Sequence, residues 1–204
     1  MYTTGLALTT LLALTASAKP HQHHQHRHAH ERRALNQRRD ETFNIHLYNN
    51  CSVKKSFAVY QLSTADWTVS EVTTPVDVAA GDSTVIQAPY TETTLRLSGN
   101  ADWGCDGQWD AQALFEFGYS AWGSVEGTAY DLSLMEGADS SVGISASPIS
   151  NGQGSETCES KFCQSPTDCA LAQGWTNEDQ VNDGSPADTV CYKGKTDFLV
   201  TFCP

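Results

Sequence analysis

The chain has 204 residues, of which 39% are hydrophobic and 18% are charged, and its formal net charge at pH 7 is −12. Residues 1–39 hold six of the 12 Lys and Arg but one of the 24 Asp and Glu, so residues 40–204 carry six cations against 23 acids, a net charge of −17. So acidic a chain is unsuited to nucleic acid or to an anionic membrane, and we expect neither as a partner.

Residues 1–18 form a Thr-rich apolar run that closes on Ala16-Ser17-Ala18. This ending is typical of signal-peptidase cleavage, and the run is too short to span a bilayer. The sequence therefore predicts a signal peptide and a secreted protein, extracellular or held in the cell wall. The C-terminal FLVTFCP has no lipid-anchor pattern, so no membrane attachment is expected.

Residues 19–39 contain six of the seven histidines and two dibasic pairs, Arg32-Arg33 and Arg38-Arg39. Such pairs are typical of processing sites, so we expect a pro-segment whose removal leaves one domain over residues 40–204. A His tract can bind copper or zinc, but this tract lies in the segment expected to be removed. We therefore predict neither a metal site nor a cofactor.

Eight runs of alternating or β-branched residues follow, separated by turn residues: FNIHLYN, SFAVYQLS, STVIQAP, TTLRLSG, ALFEFGY, TAYDLSL, SVGISASP and DFLVTFC. Many short strands of this kind predict an all-β sandwich or barrel. From about 151 to 190 the pattern fails, and the segment is polar and rich in Cys. We expect a small, loop-rich C-terminal lobe that depends on cross-links, because it has little apolar area to bury.

Seven cysteines are an odd number, which leaves one thiol free or paired between molecules. They are Cys51, Cys105, Cys158, Cys163, Cys169, Cys191 and Cys203. The spacing of Cys158, Cys163 and Cys169 is a poor match to zinc sites, and His is nearly absent, so disulfides are favoured. Spacing alone does not fix the pairs.

Several of these segments resemble thaumatin-like proteins. NNCSVKKSFAVY and the final FLVTFCP look like the opening and closing strands of that family, while ALFEFGY and TAYDLSLMEG look like its Glu-bearing strand and its YDVSLVDG-type segment. CESKFC, then Cys169, the NED at 177–179 and Cys191 follow the family's C-terminal order. The resemblance covers residues 43–204 and is nearest to small secreted fungal members, some linked to conidial germination and wall remodelling. It implies a thaumatin-like β-sandwich, here a monomer.

The resemblance implies three disulfides, Cys51–Cys203, Cys158–Cys191 and Cys163–Cys169. In the chain-entropy model the first is worth about 5 kcal/mol and the third roughly 2–2.5 kcal/mol, because the closed loops differ so much in length. The cysteine-rich stretch that follows Cys105 in larger relatives is absent, so Cys105 is the expected free thiol. We expect that thiol to be buried.

The same resemblance implies an acidic cleft. Glu116 and Asp131 match its first two acids, Glu136 stands where a further Asp is expected, and Asp179 or its neighbour Glu178 matches the last. The usual cleft Arg is replaced by Asp102, and Arg96, six residues earlier, cannot be placed from the sequence. A closed cluster of like charges should hold at least one proton near neutral pH.

Strand geometry bears on these acids only in part. Glu116 faces away from Phe115 and Phe117, beside a glycine on what we expect to be an exposed face. Glu136 lies five positions after Asp131, so both reach one cleft only if the chain turns at Glu136. The simpler interpretation, solvated charges, stays open for each acid. Four tryptophans lie near the acids in sequence, and we expect about two to stack on sugars and two to fill the core: Trp103, Trp109, Trp122 and Trp175.

Three functions follow. The favoured one is binding of cell-wall β-1,3-glucan, with a role in wall remodelling. The alternatives are a weak endo-β-1,3-glucanase, with Glu116 as acid and Asp131 as base or nucleophile, and an adhesin or effector that acts on a host or microbial protein. The lost cleft Arg and the shortened loops favour binding over hydrolysis. The sequon at Asn50 has Cys51 at its centre, and the expected disulfide there argues against glycosylation.

Overall fold

The computed structural model describes residues 41–91, 94–108, 113–122, 125–135, 142–150, 158–177, 179–180, 187–192 and 194–204. The predicted signal peptide and pro-segment lie outside these residues. The described strands are β1 Thr42–Asn49, β2 Lys55–Leu62, β3 Val69–Glu71, β4 Val76–Val78, β5 Ser83–Pro89, β6 Leu95–Ser98, β7 Leu114–Trp122, β8 Val125–Ser133, β9 Ile144–Pro148, β10 Lys161–Cys163, β11 Thr189–Cys191 and β12 Phe198–Phe202. A 3₁₀ segment spans Ala101–Gln108. No helix in this described part of the chain is long and apolar enough to cross a membrane.

The strands form two sheets. One has five strands in the order β10-β9-β12-β1-β5, in which β1 and β12 run parallel. The other has seven strands, with the order β11-β8-β7-β6-β2-β3, and β4 also pairs with β2. The all-β prediction is confirmed, and the eight runs singled out in the sequence correspond to β1, β2, β5, β6, β7, β8, β9 and β12.

The core lies between the two sheets, because alternate residues of each strand point inward. Phe43 on β1 makes edge-to-face contacts with Tyr90 and with Phe117 on β7, each with ring centroids 5.0 Å apart. Phe115 packs on Phe198 in a tilted arrangement, with centroids 4.9 Å apart. Each fully buried side chain of this size contributes about 1.5–3 kcal/mol. Because Phe115 and Phe117 of β7 point into the core, the residue between them points to the outer face of the sheet.

The segment after β9 is joined to both sheets. β10 pairs with β9 in the five-stranded sheet, and β11 pairs with β8 in the seven-stranded sheet. A Cβ at Gly143 would lie 2.3 Å from the carbonyl oxygen of Gln164, so the two backbones pass with no room for a side chain. The sequence predicted a lobe that depends on cross-links. The structure shows that strand pairing also joins this segment to each sheet.

Three disulfides are present, Cys51–Cys203, Cys158–Cys191 and Cys163–Cys169. They are the pairs that the resemblance implies, and they are compatible with an extracellular protein. Cys105 is free, but the expectation that it is buried is wrong, because its side chain is exposed. The thiol sits in the polar 3₁₀ segment ADWGCDGQ, which offers no apolar surroundings to cover it.

Candidate functional site

A row of polar residues crosses the outer face of the seven-stranded sheet. Glu71 on β3 pairs with Tyr60 on β2, and Tyr60 pairs with Arg96 on β6. Arg96 pairs with Glu116 on β7, and Glu116 pairs with Asp131 on β8. Directly opposed residues of antiparallel strands point to the same side of the sheet, so these five side chains form one continuous row.

The alternation of the strands fixes this arrangement. Phe115 and Phe117 flank Glu116 and belong to the core between the sheets, as do Leu95 and Leu97, which flank Arg96. Because neighbouring residues on a strand point to opposite faces, both charged side chains must lie on the outer face. The predicted opposition of Glu116 to its two Phe neighbours is therefore seen in the structure.

Arg96 and Glu116 form a buried ion pair. The Nε atom of Arg96 lies 2.6 Å from Oε1 of Glu116. The contact is close, although its N–H direction departs from that of a regular hydrogen bond. The two residues are 3% and 5% exposed. The sequence suggested that Glu116 lies on an exposed face, and this expectation is wrong. Its side chain is buried beside the guanidinium of Arg96.

This ion pair also corrects the view that the site lacks a cation. The resemblance implied a cation at position 102, where this chain has Asp102. Strand pairing instead brings Arg96 against Glu116. The signal was in the sequence, since Arg96 stands between Leu95 and Leu97 as Glu116 stands between two Phe residues. Only the pairing of β6 with β7 shows that the two meet.

Asp131 retains a proton more readily than an ordinary carboxyl group. Its burial, then the neighbouring charges of Glu116 and Asp188, raise the pKa of Asp131 well above its usual range, and the guanidinium of Arg96 opposes that rise. The Asp131 carboxyl lies within hydrogen-bonding reach of Glu116. Its Oδ1 and the Oε1 of Glu116 are buried without a regular donor. The rise in the pKa of Asp131 has the direction expected for a buried cluster of like charges.

Asp188 extends the row beyond Asp131, and sequence reasoning missed it. Thr189 pairs with Tyr130, which brings Asp188 to the position opposite Asp131. The indole Nε1 of Trp175 donates a 2.8 Å hydrogen bond to Oδ1 of Asp188 and fixes its carboxylate. The segment before β11 has no strand periodicity, so nothing in the sequence pointed to Asp188.

Asp102 lies at the other end of the row. It is exposed in the first turn of the 3₁₀ segment. Burial of the Tyr60 phenol, followed by the nearby charges of Glu71, Cys105 and Asp102, raises the pKa of Tyr60 to about 12. Asp102 is thus close to Tyr60 and belongs to the surroundings of the row, not to the Glu116–Asp131 pair.

The remaining predicted site residues are dispersed. Asp179 is exposed in the turn before Gln180, and Asp188 instead acts on Asp131. Glu136 and Glu178 lie outside the described residues, as does Trp109, so the required turn at Glu136 stays a prediction. Trp103 is 60% exposed and Trp175 is buried. Asn50 is exposed, and its Nδ2 donates a 2.7 Å hydrogen bond to the carbonyl of Cys203.

The chemistry of the row is that of hydrogen bonding around one fixed cation. In the described part of the chain, no group of three or more His, Cys, Asp or Glu is arranged to hold a metal ion. In the Arg96–Glu116–Asp131 cluster, Arg96 and Glu116 are almost fully buried and Asp131 is partly exposed, so Asp131 is the member that a ligand can reach most readily.

The fold and the site together define an acidic, disulfide-bonded, all-β sandwich protein. It is similar to the crystal structure of the protein elicitor MoHrip2 from Magnaporthe oryzae, at 13% sequence identity and a TM-score of 0.50 over 79% of this chain and 99% of that one. At this identity the likeness concerns the fold alone. No protein-family model matches the sequence, and no curated protein matches it at a significant level.

Proposed function

We propose that this chain is a secreted thaumatin-like protein that binds β-1,3-glucan of the fungal cell wall at the Arg96–Glu116–Asp131 cluster, and that it acts in wall remodelling during germination. The observation that supports the proposal is the polar row on the outer sheet face, with a buried ion pair beside a carboxyl whose pKa is raised. Neutral sugar hydroxyls suit such a site, because they both donate and accept hydrogen bonds.

Binding is favoured over hydrolysis for a geometric reason. A retaining glycosidase keeps its two carboxyl groups about 5–5.5 Å apart, and an inverting one roughly 6.5–9.5 Å apart, to leave room for the sugar or for water. Glu116 and Asp131 are directly opposed on neighbouring strands and within hydrogen-bonding reach of each other, which leaves no space for a sugar or a water between their carboxyl groups. Endo-β-1,3-glucanase activity is the alternative to be tested.

The second candidate function is an interaction protein that acts on a host or microbial protein. Its support is that the similar structure is that of a protein elicitor. Because that likeness concerns the fold alone, elicitor activity is a question for experiment. An infiltration assay for host responses, with heat-denatured protein as control, addresses it independently of glucan.

The test of the proposed function is retention of the secreted protein on insoluble β-1,3-glucan, with and without Glu116→Gln. We expect wild-type protein to be retained, Glu116→Gln to be lost from the pellet, and no reducing sugar to be released. Retention that is unchanged by Glu116→Gln contradicts binding at this cluster. Sugar release that depends on Glu116 establishes the glucanase instead.

A further inference from the structure

The outer face of the five-stranded sheet has no charged pair and no carboxylate in two adjacent rows of paired residues. The outer face of the seven-stranded sheet, in contrast, carries the polar row described above. In the first row, Val85 on β5 pairs with His46 on β1, which pairs with Leu199 on β12, which pairs with Ser147 on β9. These residues alternate with core residues, so their side chains point to solvent. Val85 and Leu199 are exposed apolar residues within this row.

The second row continues the same surface to the far edge of the sheet. Ser83 pairs with Tyr48, Tyr48 with Thr201, Thr201 with Ser145 and Ser145 with Phe162 on β10. This row combines hydroxyl-bearing side chains with two aromatic rings, of which that of Phe162 is exposed. We call these two rows the uncharged face.

This composition is unusual for a chain so acidic. A soluble surface is normally about 25–35% Lys, Arg, Glu and Asp, yet the uncharged face has none of these in nine positions, while residues 40–204 carry 23 acids. Charged side chains lie at its borders: the exposed Asp82 directly precedes Ser83, and Asp197 directly precedes β12, with its Oδ1 2.5 Å from Nζ of Lys195. The acids are thus concentrated elsewhere on the molecule.

We propose that the uncharged face is a second docking surface, for the packed chains of an uncharged, insoluble wall polysaccharide. Hydroxyl-bearing and aromatic side chains match such a surface, since sugars present hydroxyls at their edges and C–H groups on their faces. Neighbouring strands stand about 4.7–4.9 Å apart, so the rows present contacts at regular intervals. The class of ligand rests on the proposed function, whereas the location of this surface, on the opposite sheet, does not.

Charge favours a neutral polymer over a second copy of the chain. Two domains that each carry −17 repel each other when they approach, whichever faces meet. A neutral polysaccharide does not meet this obstacle.

The test compares insoluble β-1,3-glucan particles with a soluble β-1,3-gluco-oligosaccharide. Val85→Glu and Leu199→Glu place a carboxylate on the uncharged face, and Val53→Glu places one on a loop off that face. Val53 is the matched control for Val85, because the two side chains are 58% and 51% exposed. We expect about tenfold weaker retention on particles for the first two variants, because the new charge loses solvation against a neutral surface. Val53→Glu should behave like wild type, and binding of the oligosaccharide should be unchanged throughout.

Each other outcome has a definite meaning. Unchanged retention of folded Val85→Glu and Leu199→Glu overturns the second surface and leaves the proposed function standing. Light scattering could instead give an oligomer for the wild type and monomers for both variants. In that case the face is a contact between copies, and the second docking surface is overturned. If the wild type ignores the oligosaccharide but is retained on particles through this face, the Arg96–Glu116–Asp131 proposal fails and the second surface stands.

Discussion

Arg96 and Glu116 meet across neighbouring antiparallel strands with Nε and Oε1 2.6 Å apart, and both side chains are buried on the outer face of the seven-stranded sheet. Arg96 is the sole arginine after residue 39. A buried ion pair is held at the cost of desolvating both charges, so its position beside the Asp131 carboxyl, whose pKa is raised, indicates a site that is built for polar contact.

Removal of one partner of this pair should be severe. Arg96→Gln leaves the Glu116 carboxylate buried without its cation, which is expected to lower the free energy of unfolding by about 3–5 kcal/mol. The double variant Arg96→Gln/Glu116→Gln should recover much of that loss, since no buried charge remains. Urea denaturation measures both.

The exposed pair Lys54–Asp77, with Nζ and Oδ2 also 2.6 Å apart, is the matched control. Lys54→Gln should cause no measurable loss, because solvent screens exposed pairs. Equal effects of Arg96→Gln and Lys54→Gln would contradict the view that burial makes the Arg96–Glu116 pair important.

Stability should depend on pH through Asp131. Because its folded-state pKa is raised, the folded protein holds this proton more tightly than the unfolded chain, so the contribution is present below about pH 4 and is lost as pH rises through the folded pKa. The groups that face it are Glu116, Asp188 and Arg96. Asp131→Asn mimics the protonated form and should therefore gain stability over wild type at pH 8 but not at pH 4. The exposed Asp179→Asn is the control, and an equal gain at both pH values argues against a protonated Asp131.

The three disulfides should differ in their effect on global stability. Replacing Cys51 and Cys203 by Ser opens a closure with a sequence separation of 152 residues, and replacing Cys163 and Cys169 opens one of 6. The chain-entropy model gives losses of about 5 and roughly 2–2.5 kcal/mol. Thermal and urea unfolding of the two double variants test the order, and a larger loss for Cys163/Cys169 reverses it.

Cys105 should react in the native protein. It is free and exposed, so one thiol per chain is expected to be alkylated without denaturant, and Cys105→Ser should abolish the reaction while leaving the unfolding midpoint unchanged. The measurement is mass spectrometry after brief alkylation. No modification of native wild-type protein, or modification at another cysteine, contradicts this assignment.

Strands with a clear period were predictable from the sequence and short ones were not. β1 alternates between buried and more exposed residues along its eight positions, and β2, β7 and β8 are eight or nine residues long, whereas β3, β4, β10 and β11 have three residues each, too few to show a period of two. The pairing partners of a strand depend on the whole sheet, which is why Arg96 could not be placed beside Glu116.

The candidate site shows the same division. Glu116 and Asp131 were identified from the resemblance, and their strands bring them directly opposite each other. Asp188 was missed because it precedes a three-residue strand inside a segment without periodicity. The exposure expected for Glu116 was wrong because alternation assigns a face of the sheet, while burial on that face depends on neighbours such as Arg96.

The most direct test of glycan binding at the Arg96–Glu116–Asp131 cluster is a calorimetric titration of the protein with a soluble β-1,3-gluco-oligosaccharide. The double variant Arg96→Gln/Glu116→Gln removes the buried pair, and Lys54→Gln/Asp77→Asn removes an exposed pair of the same charges. We predict binding by wild type and by the exposed-pair variant, and none by the folded buried-pair variant. Equal binding by all three proteins, or none by wild type, would contradict the proposed function.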